Sequence, residues 1–159
     1  MGKSNLKPPA LDPAAVEVRY GTAYPDEFKP VAEGREKRAL GSAVGLTHYG
    51  VNLVCLKPGA ASALRHWHMK EDEFVYVLEG ELTLVTDDGE QVLGPGMAAG
   101  FPAGEADGHH LANKSGKDAL YLEIGDRDPD EEVHYPDVDL HGRRIDGRFT
   151  FTRKDGSPV

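Results

Sequence analysis

The chain is poor in cysteine: Cys55 is the only one among 159 residues. No intrachain disulfide can form, and a reducing, cytoplasmic setting is the default expectation. Long apolar runs are also missing, and none approaches the roughly 20 residues needed to span a bilayer. Residues 1–10 are polar, include Pro8 and Pro9, and lack the apolar centre of a signal peptide. Leu6 stands where a myristoylation motif needs Ser or Thr, so Gly2 opens no such motif. Positive charge is in deficit, with 18 Lys and Arg against 27 Asp and Glu, a formal net charge of −9. That balance argues against electrostatic capture by nucleic acid or an anionic membrane. Helical periodicity is scarce, since no central window keeps a 3.6-residue apolar period over three turns. No internal repeat is visible.

Turn residues are abundant: 19 glycines and 11 prolines suit a turn-rich β protein. Hydrophobic residues make up 39% and charged residues 28%, as in a globular chain of one domain. The charge is unevenly placed. Residues 1–40 carry +1, residues 41–125 carry −7, residues 126–139 carry −6 and residues 140–159 carry +3. The chain therefore divides into an N-terminal arm over 1–40, a central body over 41–125, and an acidic linker with a basic tail over 126–159. Ends of opposite sign are expected to dock onto the body or onto a partner subunit.

Short apolar runs separated by turn signals fill the body. Strands are expected over 42–49, 51–57, 64–68, 73–79, 81–86, 91–93, 97–101, 109–114 and 119–124. Asp87-Asp88-Gly89 reads as a hairpin, because Asp-Gly accepts the positive φ of such turns. Strands at this spacing predict an all-β sandwich or barrel. Outside the body, residues 15–20 and 148–153 are further strand candidates. In the latter, Phe149 and Phe151 share one face.

Seven histidines stand at 48, 66, 68, 109, 110, 134 and 141. His66 and His68 are spaced i, i+2, so in a strand both rings point one way and Arg65 and Trp67 point the other. Two adjacent imidazoles can chelate a divalent metal. Glu73 follows after the polar stretch 69–72, where a turn resets the phase and lets its carboxylate meet the two rings. His109 opens another strand with Leu111 and Asn113 on its face. His110 then faces away from His109. His48 reads as a partly exposed strand residue that could border a pocket, and His134 and His141 as solvated tail residues. Cys55 reads as a buried, inert thiol. Phe74, Tyr76 and Leu78 form a second apolar face on the 73–79 strand. The arm, the tail or a second subunit must cover that face.

The run Gly59…His66-Trp67-His68…Glu73…Gly80 resembles the first motif of the cupin superfamily. Gly96…Pro102-Ala103-Gly104…His109…Asn113 resembles the second. Two spacings depart from the family pattern: six residues separate Gly59 from His66, and four separate Gly104 from His109. The second departure leaves His109 and His110 open on spacing alone, and the three-residue gap to Asn113 favours His109. A looser similarity extends to small bacterial single-domain cupins of sugar-phosphate-isomerase-like or uncharacterised type. It rests on 65–68, 71–80, 108–110 and Tyr135-Pro136-Asp137.

The resemblance implies a double-stranded β-helix, or jelly-roll barrel, over 41–125, with the tail packed on it. It also implies one divalent metal, Zn, Fe, Mn, Ni or Co, held by His66, His68, Glu73 and His109. An octahedral ion with four protein ligands would keep two positions for water or substrate, whereas a closed tetrahedral zinc would be structural. The expected function is an enzyme acting on a small molecule, of isomerase, lyase or dioxygenase type. The competing expectation is a cupin that binds or senses a small ligand without turnover. A phosphosugar substrate calls for cations at the barrel mouth, and the body offers only Lys57, Arg65, Lys70, Lys114 and Lys117. A homodimer is expected, with no nucleic-acid or membrane partner.

Overall fold

Alternating apolar and polar residues between glycine-bearing turns make this a strand protein. The computed structural model describes residues 5–159. Its strands are β1 (Arg19–Tyr20), β2 (Arg35–Ala39), β3 (Tyr49–Leu56), β4 (Trp67–His68), β5 (Glu73–Glu79), β6 (Leu82–Thr86), β7 (Gly89–Leu93), β8 (Ala98–Phe101), β9 (His110–Ala112), β10 (Ala119–Asp126), β11 (Glu132–His134), β12 (His141–Ile145) and β13 (Arg148–Thr152). One α-helical turn, α1 (Leu40–Ala43), joins β2 to β3. No helix among the described residues is long and apolar enough to cross a membrane.

A six-stranded sheet runs in the order β1-β2-β3-β10-β5-β8. Opposite it lie a three-stranded sheet, β7-β6-β9, and a four-stranded sheet, β13-β12-β11-β4. Bridges pairing Ala61 with Ala112 and His66 with His109 join these two smaller sheets. The result is a jelly-roll barrel. Its main core takes Val54, Leu56, Val75, Val77, Ala119 and Tyr121 from the large sheet, and Leu82, Leu84, Leu93 and Leu111 from the facing one. A second core of Tyr24, Val133, Tyr135 and Leu140, flanked by Phe149 and Phe151, packs the tail onto the open end.

Several local expectations shift. Of the strand expected over 42–49, only Tyr49 is in one, as the start of β3: α1 occupies the beginning of the segment, and Gly45 ends it at φ 82°. Residues 15–20 yield only β1, because Asp12 caps a 3₁₀ turn over Pro13–Ala15. Residues 35–39, within the segment set apart as an arm, form β2 and pair with β3. Their Arg-Glu-Lys-Arg run carries no apolar alternation that would have marked a strand. Cys55 is half-buried on the outer face of β3, and burial pushes its thiol up, so it is inert without being enclosed.

Candidate metal centre

Backbone pairing sets the first contacts. His66 N–H donates to the His109 carbonyl at 3.2 Å, and His109 N–H donates to that of His66 at 2.9 Å. This bridge places the two histidines side by side across the join between the smaller sheets. His68 follows two residues on, with its ring 5.1 Å from that of His66. Glu73 opens β5 on the facing sheet, with Val75 and Val77 behind it on the same inner face.

The three imidazoles converge on one oxygen. Glu73 Oε2 lies 2.8 Å from His109 Nε2, and 3.5 Å from both His66 Nε2 and His68 Nε2. Ligand atoms of His66, His68 and Glu73 all lie within 4.8 Å of one another. The opposite ring nitrogens are engaged elsewhere. His66 Nδ1 meets the Leu64 carbonyl at 2.7 Å and His109 Nδ1 meets that of Asp107 at 3.3 Å. A carbonyl only accepts, so each Nδ1 carries a proton, and it is loss of the Nε2 proton that would turn a lone pair toward a metal in the cavity. Phe101 stacks on His109 at 3.5 Å and fixes the ring plane. Burial alone would raise the Glu73 carboxyl, but hydrogen bonds from His109 and His66 outweigh it and hold the group well below its ordinary range. Three neutral imidazoles and one carboxylate suit a divalent transition metal, and the outward nitrogens of His66 and His109 are already anchored as such ligands require.

His68 is anchored differently, by residues that the sequence reading passed over. Its Nδ1 stands 3.7 Å from Glu131 Oε1 and 3.8 Å from Glu71 Oε2. Burial opposes protonation of His68, but Glu131, Glu73 and Glu71 outweigh it and hold the ring above its ordinary value. Glu131 is fully buried and accepts hydrogen bonds from the backbone N–H groups of Met69 and Lys70. Arg144 pairs with Glu71 and also donates to the Asp128 carbonyl. The 126–139 segment, set apart by its charge as an acidic linker, therefore closes the site from behind.

The remaining histidines separate as follows. His110 turns its Nδ1 to the Ala63 carbonyl at 2.9 Å and stands outside the converging set. His48 lies ahead of β3, not within a strand, and does not line the cavity. His134 and His141 are half-buried rather than solvated. Arg65 points away from the site, paired with Asp137 at 2.8 Å and Asp87 at 2.7 Å, and Trp67 stacks on His134.

The four residues sit in a cavity of about 390 Å³, also lined by Tyr24, Arg35, Lys37, Asn52, Tyr121, Glu123 and Arg127. Lys37 and Asn52 hold Glu123 Oε1 at 2.8 and 3.1 Å. Arg35 donates only to the Ser62 and Gly21 carbonyls, and Arg127 to the Leu46 carbonyl and Ser42 hydroxyl. Among the described residues, no carboxylate pairs with either guanidinium. The cavity's cations thus come from the 1–40 and 126–159 segments, outside the body where they were sought.

The cupin domain family profile matches residues 52–125. A sugar phosphate isomerase of the cupin superfamily from Silicibacter pomeroyi is 47% identical, with 95% of this chain and 96% of that chain covered at a TM-score of 0.92. The chain belongs to the cupin superfamily. A protein from Acidithiobacillus ferrooxidans, proposed to be a sugar phosphate isomerase, is 34% identical to this cupin over 79% of this chain and 80% of that one, at a TM-score of 0.72. A polyketide cyclase from Streptomyces resistomycificus shares the fold at 22% identity and a TM-score of 0.65, covering 81% of the cupin and 85% of its own chain. No curated protein matches the chain.

Proposed function

We propose that His66, His68, Glu73 and His109 hold one divalent metal, and that this cupin isomerises a small phosphorylated sugar there. The observation that carries the reading is the convergence of three Nε2 atoms on Glu73 Oε2 in a cavity that also holds two guanidiniums without carboxylate partners. The name of the Silicibacter pomeroyi relative supports the substrate class. A bound divalent metal polarises a carbonyl or hydroxyl oxygen as a Lewis acid. Arg35 and Arg127 take the phosphate, since an unneutralised guanidinium offers paired donors to its oxygens. Glu123, fixed through Oε1 by Lys37 and Asn52, uses its other oxygen to move the proton between adjacent carbons. The Tyr121 hydroxyl, which burial pushes well up, stays protonated and donates to a sugar oxygen.

A panel of aldose and ketose phosphates, paired with their unphosphorylated sugars, tests this reading. Conversion of a phosphosugar should vanish in His66→Ala, and Arg35→Met should raise KM at least tenfold with a smaller effect on kcat. Equal turnover of sugars with and without phosphate, or full activity in His66→Ala, would contradict it.

We also assign a homodimer through the outer face of the large sheet. Phe74, Tyr76 and Leu78 are 43%, 38% and 38% exposed there, and the described residues of the arm leave them so. Leu122 and Ile124 of β10 lie beside Tyr76 and Phe74, and Leu53 and Val51 of β3 extend the apolar face. A lone thiol and a phosphorylated substrate both suit the cytoplasm. The net charge of −9 argues against a nucleic-acid or membrane partner.

A further inference from the structure

Outside the cavity, a second set of ligand-type side chains is brought together by strand register. Glu132 and His134 are i, i+2 on β11 and so share a face. On the antiparallel β12, His141 stands opposite His134 and Arg143 opposite Glu132. Trp67 of β4 lies opposite His134 on its other side. By parity this face is the reverse of the one that turns Val133 toward the cavity. The His134 ring stacks on Trp67 at 4.3 Å with 14° between planes, and stands 4.9 Å from the His141 ring. His141 Nε2 is 3.2 Å from Glu132 Oε2, and ligand atoms of all three residues lie within 4.8 Å of one another. Arg143 Nη2 sits 3.3 Å from Glu132 Oε1, leaving Oε2 turned to the imidazole. His141 Nε2 is buried and makes no hydrogen bond despite that nearby oxygen.

We propose that Glu132, His134 and His141 form a second metal site, for a divalent transition ion of the zinc, copper or nickel class, on the outer face of the β4–β11–β12 sheet. Ligands about 2.0–2.1 Å from a tetrahedral ion stand roughly 3.3 Å apart. His141 and Glu132 already have that separation, and the His134 ligand atom, within 4.8 Å of both, would need only a small shift to reach it. A simple His141–Glu132 ion pair would be expected to make a hydrogen bond, and none is present. Two imidazoles with a single carboxylate select borderline transition metals over calcium or magnesium, which require several oxygen ligands. The stacked indole restricts the His134 ring and reduces the ordering that binding requires. The ion would join β11 to β12, whose opposite face closes the cavity through Val133.

The chain's only tryptophan, Trp67, touches this site, so a bound paramagnetic ion reports itself by quenching. Trp67 also neighbours His66 and His68, so the cavity must be silenced separately. The test titrates Ni²⁺ into the full chain, reading stoichiometry by equilibrium dialysis and Trp67 fluorescence. The unsubstituted chain should bind two equivalents. His66→Ala/His109→Ala should keep one, with quenching, and adding His141→Ala should abolish both. In an otherwise unsubstituted chain, His141→Ala should bind one equivalent, and Glu132→Gln should weaken the second at least tenfold. A Zn²⁺-dependent rise in melting temperature should persist in the cavity double variant and disappear when His141→Ala is added to it. Unchanged binding in His141→Ala, or a folded cavity double variant that binds no Ni²⁺, overturns the proposal. A chain that binds one equivalent, lost in His141→Ala and kept in His66→Ala, upholds this site while refuting the cavity assignment.

Discussion

His66 and His109 are each held at Nδ1 by a backbone carbonyl, whereas His68 Nδ1 makes no hydrogen bond and faces the Glu131 carboxylate at 3.7 Å, a partner that can be changed without touching the backbone. Glu131→Gln keeps the buried shape but takes away the charge facing His68. Loss of such a partner weakens metal binding by about 10–100-fold, which a chelator competition assay would show. An unchanged affinity would mean that Glu131 serves only to cap the backbone N–H groups of residues 69 and 70. With His68 as a ligand, as proposed, metal binding should also depend on pH through this ring. Its protonated form is favoured in the folded, metal-free protein, so its contribution to stability is present below its ordinary value of 6.5 and is lost as pH rises through the raised folded value. The sign for metal is opposite, because the ring must lose that proton to ligate. Affinity should therefore increase from pH 5.5 to 8, with proton release visible in calorimetry as a dependence of heat on the buffer. Heat that does not vary with buffer would contradict this. Glu131 itself was readable in part. Glu131, Val133 and Tyr135 alternate with Glu132 and His134, and the buried face carries the odd-numbered residues. The surrounding Asp and Pro residues masked that period.

Among the elements, β5 shows how far pattern alone reaches. Its expected bounds, Glu73–Glu79, are those observed, and Glu73, Val75 and Val77 face inward as parity requires. The Asp87-Asp88-Gly89 signal does join two antiparallel strands, β6 and β7. Element β2 was illegible because it is charged along its length: Arg35 and Lys37 face the cavity, while Glu36 and Arg38 lie on the reverse side of the strand. Its strand character comes from pairing with β3, which a single-sequence pattern does not display. The motif glycines are a sharper test of the elements they join. Gly80 has φ 77°, and a Cβ there would stand 2.6 Å from the Asp118 carbonyl oxygen and 2.8 Å from Ala119 Cα. Gly80→Ala combines left-handed strain with a backbone clash and should cost about 2–4 kcal/mol, measured as a lowered urea midpoint. Gly45 has a similar φ of 82° with open space around it, so Gly45→Asn should cost much less. Equal midpoints for the two variants would refute this account of the β5–β6 turn.

Across the whole molecule, segments of different charge are tied together by ion pairs, and the Lys37–Glu123 and Arg144–Glu71 pairs line the cavity. Lys37 reaches Glu123 at 2.8 Å, Arg65 reaches Asp137 at 2.8 Å, and Arg144 pairs with the buried Glu71. The expected docking of the basic end thus takes the form of β12 and β13 pairing beside β11, with Phe149 and Phe151 against the Tyr24–Tyr135 core. A chain lacking residues 140–159 loses Arg144, His141 and Leu140 together, and should melt at a clearly lower temperature with weakened metal binding. An unaltered melting curve would show that the tail is dispensable. Anomalous diffraction from crystals grown with Co²⁺ reads the cavity site without intermediaries. A cobalt peak is expected within about 2.0–2.3 Å of His66, His68 and His109 Nε2 and a Glu73 carboxylate oxygen. A fully occupied cobalt site elsewhere, with no density among these four side chains, would contradict this assignment.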